Sequence, residues 1–182
     1  MMAASYLGPA GSRRRFAIAL GGAVMLALIG LAGAYKLGPK LYNKVRLGQL
    51  QGRRIYDEKL DASAAFQREL ERANRENKKL LVMLGGNWCQ WCLALDDLMH
   101  ENAALRDQLA ARFVVLKLDS VAARALDAAW GKPSSLGVPV LIFVDERGAV
   151  KHIQETVSLE LWHGRLLGHD AERVLQVLQR WS

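Results

Sequence analysis

The sequence predicts an α/β domain with a mixed central sheet, preceded by one N-terminal transmembrane helix. Three observations carry this. The stretch Phe16–Tyr35 is 20 residues long and holds no charged side chain. Beyond it, apolar runs of strand length, Leu80–Leu84, Phe113–Asp119 and Val138–Asp145, alternate with stretches of helical periodicity. The last of these runs is followed by a tight turn, Glu146-Arg147-Gly148, and by a fourth strand-like run. Strands that alternate with helices pair in parallel and a hairpin pairs antiparallel, so the sheet is mixed. A chain of 182 residues suits one such domain and an appendage.

The appendage carries most of the charge imbalance. The formal net charge is +7, yet residues 1–54 contain nine basic and no acidic side chains, while residues 55–182 are slightly acidic. A basic face that tracks phosphates is excluded by that distribution, and no nucleic-acid partner is expected. The positive charges bracket the apolar run instead, with Arg13, Arg14 and Arg15 before it and Lys36 after it. Twenty apolar residues make a helix of about 30 Å, enough to cross a bilayer. Two forms are open. An uncleaved signal anchor is favoured, because the run exceeds the usual apolar core of a signal peptide. A removed signal is the alternative: Ala32-Gly33-Ala34 offers a cleavage pattern, and Ser12–Phe16 has a twin-arginine look. Orientation stays open, since three basic residues precede the span and six follow within 36–54. The expected organisation is a basic segment at 1–15, the span at 16–35, a juxtamembrane linker at 36–54 and the domain at 55–182. Gly38, Pro39, Gly48 and Gly52 are expected to prevent one uninterrupted helix in the linker.

Within the domain, Asp61 is placed to cap a helix over 62–79 with Ala65, Phe66, Leu70 and Ala73 as its apolar stripe. Leu80–Leu84 is continuously apolar, as in a strand buried on both faces. Gly85-Gly86 forms a turn, and a helix follows over 89–100. A second helix resumes after a break at Asn102. The Phe113–Asp119 strand, a helix over 120–131 ending at Gly131, the hairpin of Val138–Asp145 with 149–156, and a closing helix capped by Asp170 complete the order.

"GGNWCQWC", Gly85–Cys92, holds the only two cysteines. Cys89 follows a buried strand and opens a helix, where free N–H groups and partial positive charge favour a thiolate. Three residues on, Cys92 shares its helical face and can reach its sulfur. An exposed Cys89 would attack a substrate disulfide and Cys92 would resolve the mixed disulfide, chemistry that needs no metal or organic cofactor. Structural zinc commonly uses two ligand pairs, and His100, His152, His163 and His169 do not supply the second. The alternative is a binding protein, either one that holds Cu(I) between the two thiolates with help from Met83 or Met99 or a redox-inactive adaptor. A stapling disulfide explains little, because a two-residue loop constrains little chain entropy. Trp88 is expected at the surface beside the reactive sulfur, with Trp91 either there or packed on the sheet edge. Trp162 and Trp181 read as packing residues, the histidines as surface or cap residues, and Asn87 as a turn residue.

"LLVMLGGNWCQWC", "FVVLKLD" and "LGVPVLIFVDERGAV", in that order, resemble the thioredoxin superfamily over about residues 55–182. The resemblance implies a three-layer thioredoxin-like fold and a thiol–disulfide oxidoreductase acting on protein disulfides or dithiols. It makes Cys89 the nucleophile and Cys92 the resolving thiol of a redox-active disulfide. It makes Pro139 a cis-proline beside the dithiol, with Val138 and Trp88 contacting an extended substrate. The W-C-x-W-C form, Tyr56-Asp57 and the 154–181 tail are similar to bacterial envelope members. These imply a single-pass inner-membrane protein with a periplasmic domain, or a cleaved, exported form. Two departures stand out. Gln90-Trp91 replace the Gly-Pro of thioredoxins proper, and Met83 occupies the place of their buried aspartate. Asp96, one turn beyond Cys92, is the nearest substitute base, although Asp96 and Asp97 read more simply as solvated helix positions.

Overall fold

The computed structural model describes residues 37–182, so the Phe16–Tyr35 segment lies outside it. No helix among the described residues is long and apolar enough to cross a membrane. Residues 42–182 form one compact unit, which contains the domain.

Residues 37–50 form one helical stretch, α1, running through Pro39 and Gly48. Pro39 and Gly48 therefore do not interrupt it, while the stretch still ends before Gly52 as expected. The reason is tertiary. Leu50 is buried with Leu93, Ala94 and Leu167, and Leu47 packs against the same group. That burial outweighs the roughly 1 kcal/mol that a glycine costs inside a helix. Chain direction changes at Gly52, whose φ of 78° is open to glycine without steric cost.

Helix α2 (Ala62–Arg75) starts where Asp61 accepts the Ala64 N–H at 3.0 Å. It ends earlier than expected, at a turn where Asn77 takes a left-handed φ of 52°. Strand β1 (Lys79–Gly85) leads into α3 (Gln90–Glu101) and α4 (Ala103–Arg112). Asn102 separates these helices and caps the second by accepting the Leu105 N–H at 3.1 Å. After β2 (Phe113–Asp119), the helix expected over 120–131 shrinks to α5 (Arg124–Ala129). Its first turn is diverted by Asp119, whose carboxylate accepts the N–H groups of Val121 and Ala122. Strands β3 (Val140–Val144) and β4 (Val150–Glu155) form the hairpin, and α6 (Ala171–Trp181) starts at the Asp170 cap.

The sheet order is β2-β1-β3-β4, with β1 parallel to β2 and antiparallel to β3, and β3 antiparallel to β4. It is the mixed sheet that the hydrophobic pattern predicts. Alternate residues of the central strands serve opposite faces. Leu80, Val82 and Leu84 pack with Phe66 and Leu70 of α2. Leu81 and Met83 pack with Leu95 and Met99 of α3, Leu105 and Leu109 of α4, and Val174 and Leu178 of α6. Three layers result, and β1 is buried on both faces, which explains its unbroken apolar run.

If α1 is seated on the domain as described, Leu50→Ala lowers unfolding stability by about 2–4 kcal/mol. Urea denaturation measures this. A change near zero would mean that the segment is a free tether.

Candidate dithiol site

The site begins at the end of β1, where no side chain fits. A Cβ on Gly85 would come within 2.5 Å of Tyr56 Oη and 2.6 Å of Cys92 Sγ. Asn87 then ties this turn to the segment before α2. Its Oδ1 accepts the N–H groups of Ile55 and Tyr56 at 2.8 and 3.0 Å, and its Nδ2 donates to the Tyr56 carbonyl at 2.9 Å. Asn87 is thus a clamp as well as a turn residue.

Cys89 is the N-cap of α3, with extended φ/ψ, and its sulfur accepts the Cys92 N–H at 3.2 Å. A sulfur thus does the capping work usually given to Ser or Asp. The Cys89 thiol also lies 3.4 Å from the Val138 carbonyl, and the Val138–Pro139 peptide is cis. Trp88 stands 68% exposed beside it. A depression of about 350 Å³ lies alongside, lined by Trp88, Ser120, Val121, Arg124, Ser134 and Val138. Trp88, Cys89, Val138 and Pro139 are therefore brought together. Cys89 itself is only 6% exposed, which corrects the expectation of an exposed sulfur. Its approach is narrowed by the Val138 carbonyl and the helix turn above it.

The two thiols are electrostatically unequal. Cys89 is pulled below its ordinary pKa, first by the Cys92 thiol hydrogen bond and then by the Cys92 and Trp91 N–H groups, against the opposing effect of burial. Cys92 is pushed up because it donates to Cys89 and because it is buried. One thiolate and one thiol is the arrangement this favours. Both cysteines are free thiols. Tyr56, 3% exposed, has its phenol pushed up, mainly by burial and next by the Cys92 sulfur.

Below the dithiol, Asp96 departs from the solvated position expected for it. It is 2% exposed, and Asp97 is buried as well. Lys117 of β2 forms an ion pair with Asp96 Oδ1, without the alignment of a hydrogen bond. Arg53 reaches Asp96 at 3.4 Å and also pairs with Asp97, which Arg46 of α1 contacts at 2.6 Å. His100 Nδ1 lies 3.4 Å from Asp96. Lys117 is the β2 register partner of Met83. Paired residues project to one face of a sheet, so this lysine faces the place where Met83 brings no carboxylate. The carboxylate comes from α3 instead. Sequence reasoning missed the burial because its partners lie on α1, its following loop and β2. The lone lysine inside the apolar run "FVVLKLD" was the available signal.

Other side chains fall where expected or differ for local reasons. Trp91 packs against the core and meets His169 edge-on at 5.8 Å. Trp181 stacks on His152 at 4.2 Å, as a packing residue would. Trp162 is exposed rather than packed, in a turn where it and His163 both have positive φ, with the Arg165 guanidinium 4.3 Å from its ring. His163 and His100 are on the surface. His169 is not. It is 3% exposed and neither ring nitrogen has a hydrogen-bond partner among the described residues. Met83 and Met99 are buried in the same apolar cluster as the cysteines. Among the described residues no group of three or more His, Cys, Asp or Glu side chains is placed to hold a metal ion.

Residues 61–146 match the family model described as Thioredoxin-like. No curated protein matches the chain. Among solved structures, the disulphide isomerase from Xylella fastidiosa Temecula1 is 25% identical. The match covers 71% of this chain and 97% of that one, with a TM-score of 0.57. A thioredoxin from Thermus thermophilus (20% identity, 63% of this chain and 81% of that one, TM-score 0.45) and a DsbH oxidoreductase (18%, 61% and 77%, 0.43) are more distant. These two carry no weight for function. The fold is thioredoxin-like, with a mixed four-stranded sheet flanked by helices and a Cys-X-X-Cys pair at 89 and 92.

Burial lowers the His169 pKa from 6.5 to about 4. A folded-state pKa below the unfolded value means that the unfolded chain binds the proton first as pH falls. This contribution is intact above pH 6.5 and is lost between about 6.5 and 4, amounting to about 3 kcal/mol. His169→Phe removes it, so the variant loses less stability than the parent between pH 7 and 4. Urea denaturation across that range measures the difference. Parallel pH profiles for the two proteins would contradict the buried, neutral imidazole.

Proposed function

We propose that this thioredoxin-like domain is a thiol–disulfide oxidoreductase that exchanges disulfides with protein substrates. Cys89 is the nucleophile and Cys92 the resolving thiol. The supporting observation is the sulfur cap: Cys89 accepts the Cys92 N–H at 3.2 Å at the head of α3, beside the Val138 carbonyl. There the Cys89 thiolate attacks one sulfur of a substrate disulfide. The other substrate sulfur leaves as a thiolate and takes a proton. The Cys92 sulfur then attacks Cys89, closing the intramolecular disulfide, breaking the mixed one and releasing the second substrate thiol. Two electrons pass from the dithiol to the substrate, and the reverse sequence oxidises a substrate dithiol.

Trp88, Val138 and Pro139 form the docking edge in this reading. Trp88 offers an exposed apolar surface, and the backbone of Val138 lies at the sulfur. The charge-free run at Phe16–Tyr35 supports membrane attachment, and the resemblance to bacterial envelope members, rather than the basic flanks, supports a domain on the periplasmic side of the inner membrane. No cofactor beyond the Cys89–Cys92 couple takes part.

Cys89→Ser is expected to abolish reduction of insulin disulfides while the domain stays folded. Cys92→Ser is expected to accumulate mixed disulfides with substrate proteins, visible as reducible adducts on a gel. Full reductase activity in the first variant would overturn the proposal.

A further inference from the structure

Tyr56 poses a question that the proposed redox cycle leaves unanswered. Its hydroxyl is buried and has no hydrogen-bond partner among the described residues. Leaving a buried hydroxyl unpaired costs about 1–3 kcal/mol, so such a group calls for an explanation. Three features hold it where it is. Asn87 fixes the backbone of residues 55–56 through three hydrogen bonds. Gly85 supplies no side chain, and the space a Cβ would take is bounded by Tyr56 Oη and Cys92 Sγ together. Tyr56 and Cys92 also belong to one buried apolar cluster. Gly85 and Asn87 thus bring a phenol to the deeper of the two sulfurs.

We propose that Tyr56 is a catalytic residue of this dithiol: its O–H donates a hydrogen bond to the Cys92 sulfur as that sulfur becomes a thiolate. This rests on the oxidoreductase reading above. In the mixed disulfide, Cys89 is bonded to the substrate sulfur and no longer offers a charge. Cys92 must then lose its proton in a buried site with Met83 where a carboxylate could have stood. The phenol keeps its own proton throughout and only donates to the forming charge. The Cys92 proton passes through solvent to the departing substrate thiolate. Cys92 Sγ bonds to Cys89 Sγ, the Cys89–substrate bond breaks, and the electron pair leaves on the substrate sulfur. An O–H donated to the Cys92 sulfur acts in the required sense, since it favours the thiolate and so opposes the upward push of burial on that thiol.

Other groups near this sulfur have their own partners or face elsewhere. Asp96, the next buried group along α3, pairs with Lys117 of β2 and with Arg53, and His100 contacts it at the far end of the helix. Asp97 pairs with Arg46 and Arg53. His169, ahead of α6, meets Trp91. With Cys89 in disulfide linkage, the pH dependence of the resolving step reports mainly Cys92.

The test uses 5,5′-dithiobis(2-nitrobenzoate) on the reduced full chain, whose only thiols are Cys89 and Cys92. Attack by Cys89 releases the first thionitrobenzoate, and resolution by Cys92 releases the second. Tyr56→Phe removes one oxygen and an unpaired buried hydroxyl, so the fold is expected to be as stable or more so. Losing a hydrogen bond to a thiolate raises the thiol pKa by about one to two pH units. Nucleophilicity recovers about half of the lost thiolate fraction, so the second release slows about 3- to 10-fold at pH 7. Its pH midpoint moves upward while the first release stays within about twofold. Replacing tyrosine by 3-fluorotyrosine in the unmutated chain strengthens the donor and moves the second midpoint downward, an effect absent in Tyr56→Phe. An unchanged second release, or equal slowing of both, would overturn the role of Tyr56 and leave the oxidoreductase reading standing. No second release from the unmutated chain would overturn both.

Discussion

Cys89 caps the helix that carries Cys92, and the site is organised around that one contact. The sulfur accepts the Cys92 N–H at 3.2 Å, which ties the thiol chemistry to the start of α3. For the cap to form, β1 must end at a fixed point and α3 must begin within a few residues. Both faces of β1 are packed, which fixes the strand. Helix α3 is seated by Leu95 and Met99 on the sheet and by Leu93 and Ala94 under α1. The glycine at 85 clears the space behind the sulfurs, and Asn87 holds the neighbouring segment in place. Each element leaves the first sulfur at the helix head and the second in the interior.

Charge is arranged on the same helix. Asp96 and Asp97 lie one turn beyond Cys92 and are neutralised by three basic side chains from separate segments: Arg46, Arg53 and Lys117. Buried carboxylates are costly without such partners. The cluster therefore joins α1, the loop after it, α3 and β2 electrostatically. It also makes residues 42–54 part of the domain, because the arginines that would be free in a tether here compensate interior charge.

Much of the fold was legible because its signals are local. The runs Leu80–Leu84 and Phe113–Asp119 became strands, Asn102 divided two helices, and the turn at 146–148 closed the hairpin. The cysteine pair was legible for the same reason, since strand, turn and helix head adjoin in sequence. What was hidden depends on contacts far apart along the chain. Pro39 and Gly48 read as helix breakers until the burial of Leu50 is known. Asp96 read as solvated because Arg53 and Lys117 are distant in sequence. His169 read as a surface residue, and nothing local reveals that the turn before α6 folds it against Trp91. Tyr56 showed only as part of a resemblance, because its place behind Gly85 is set by packing between segments about thirty residues apart.

The central claim is that Cys89 and Cys92 form one reversible two-electron couple. Equilibration of the full chain in glutathione buffers of graded potential, with tryptophan fluorescence as readout, tests it directly. The account predicts a single transition with a slope of about 30 mV per tenfold change in the ratio of oxidised to reduced protein, and a midpoint between about −270 and −120 mV. Two separate one-thiol titrations by glutathionylation, or no intramolecular disulfide at any potential, would contradict it.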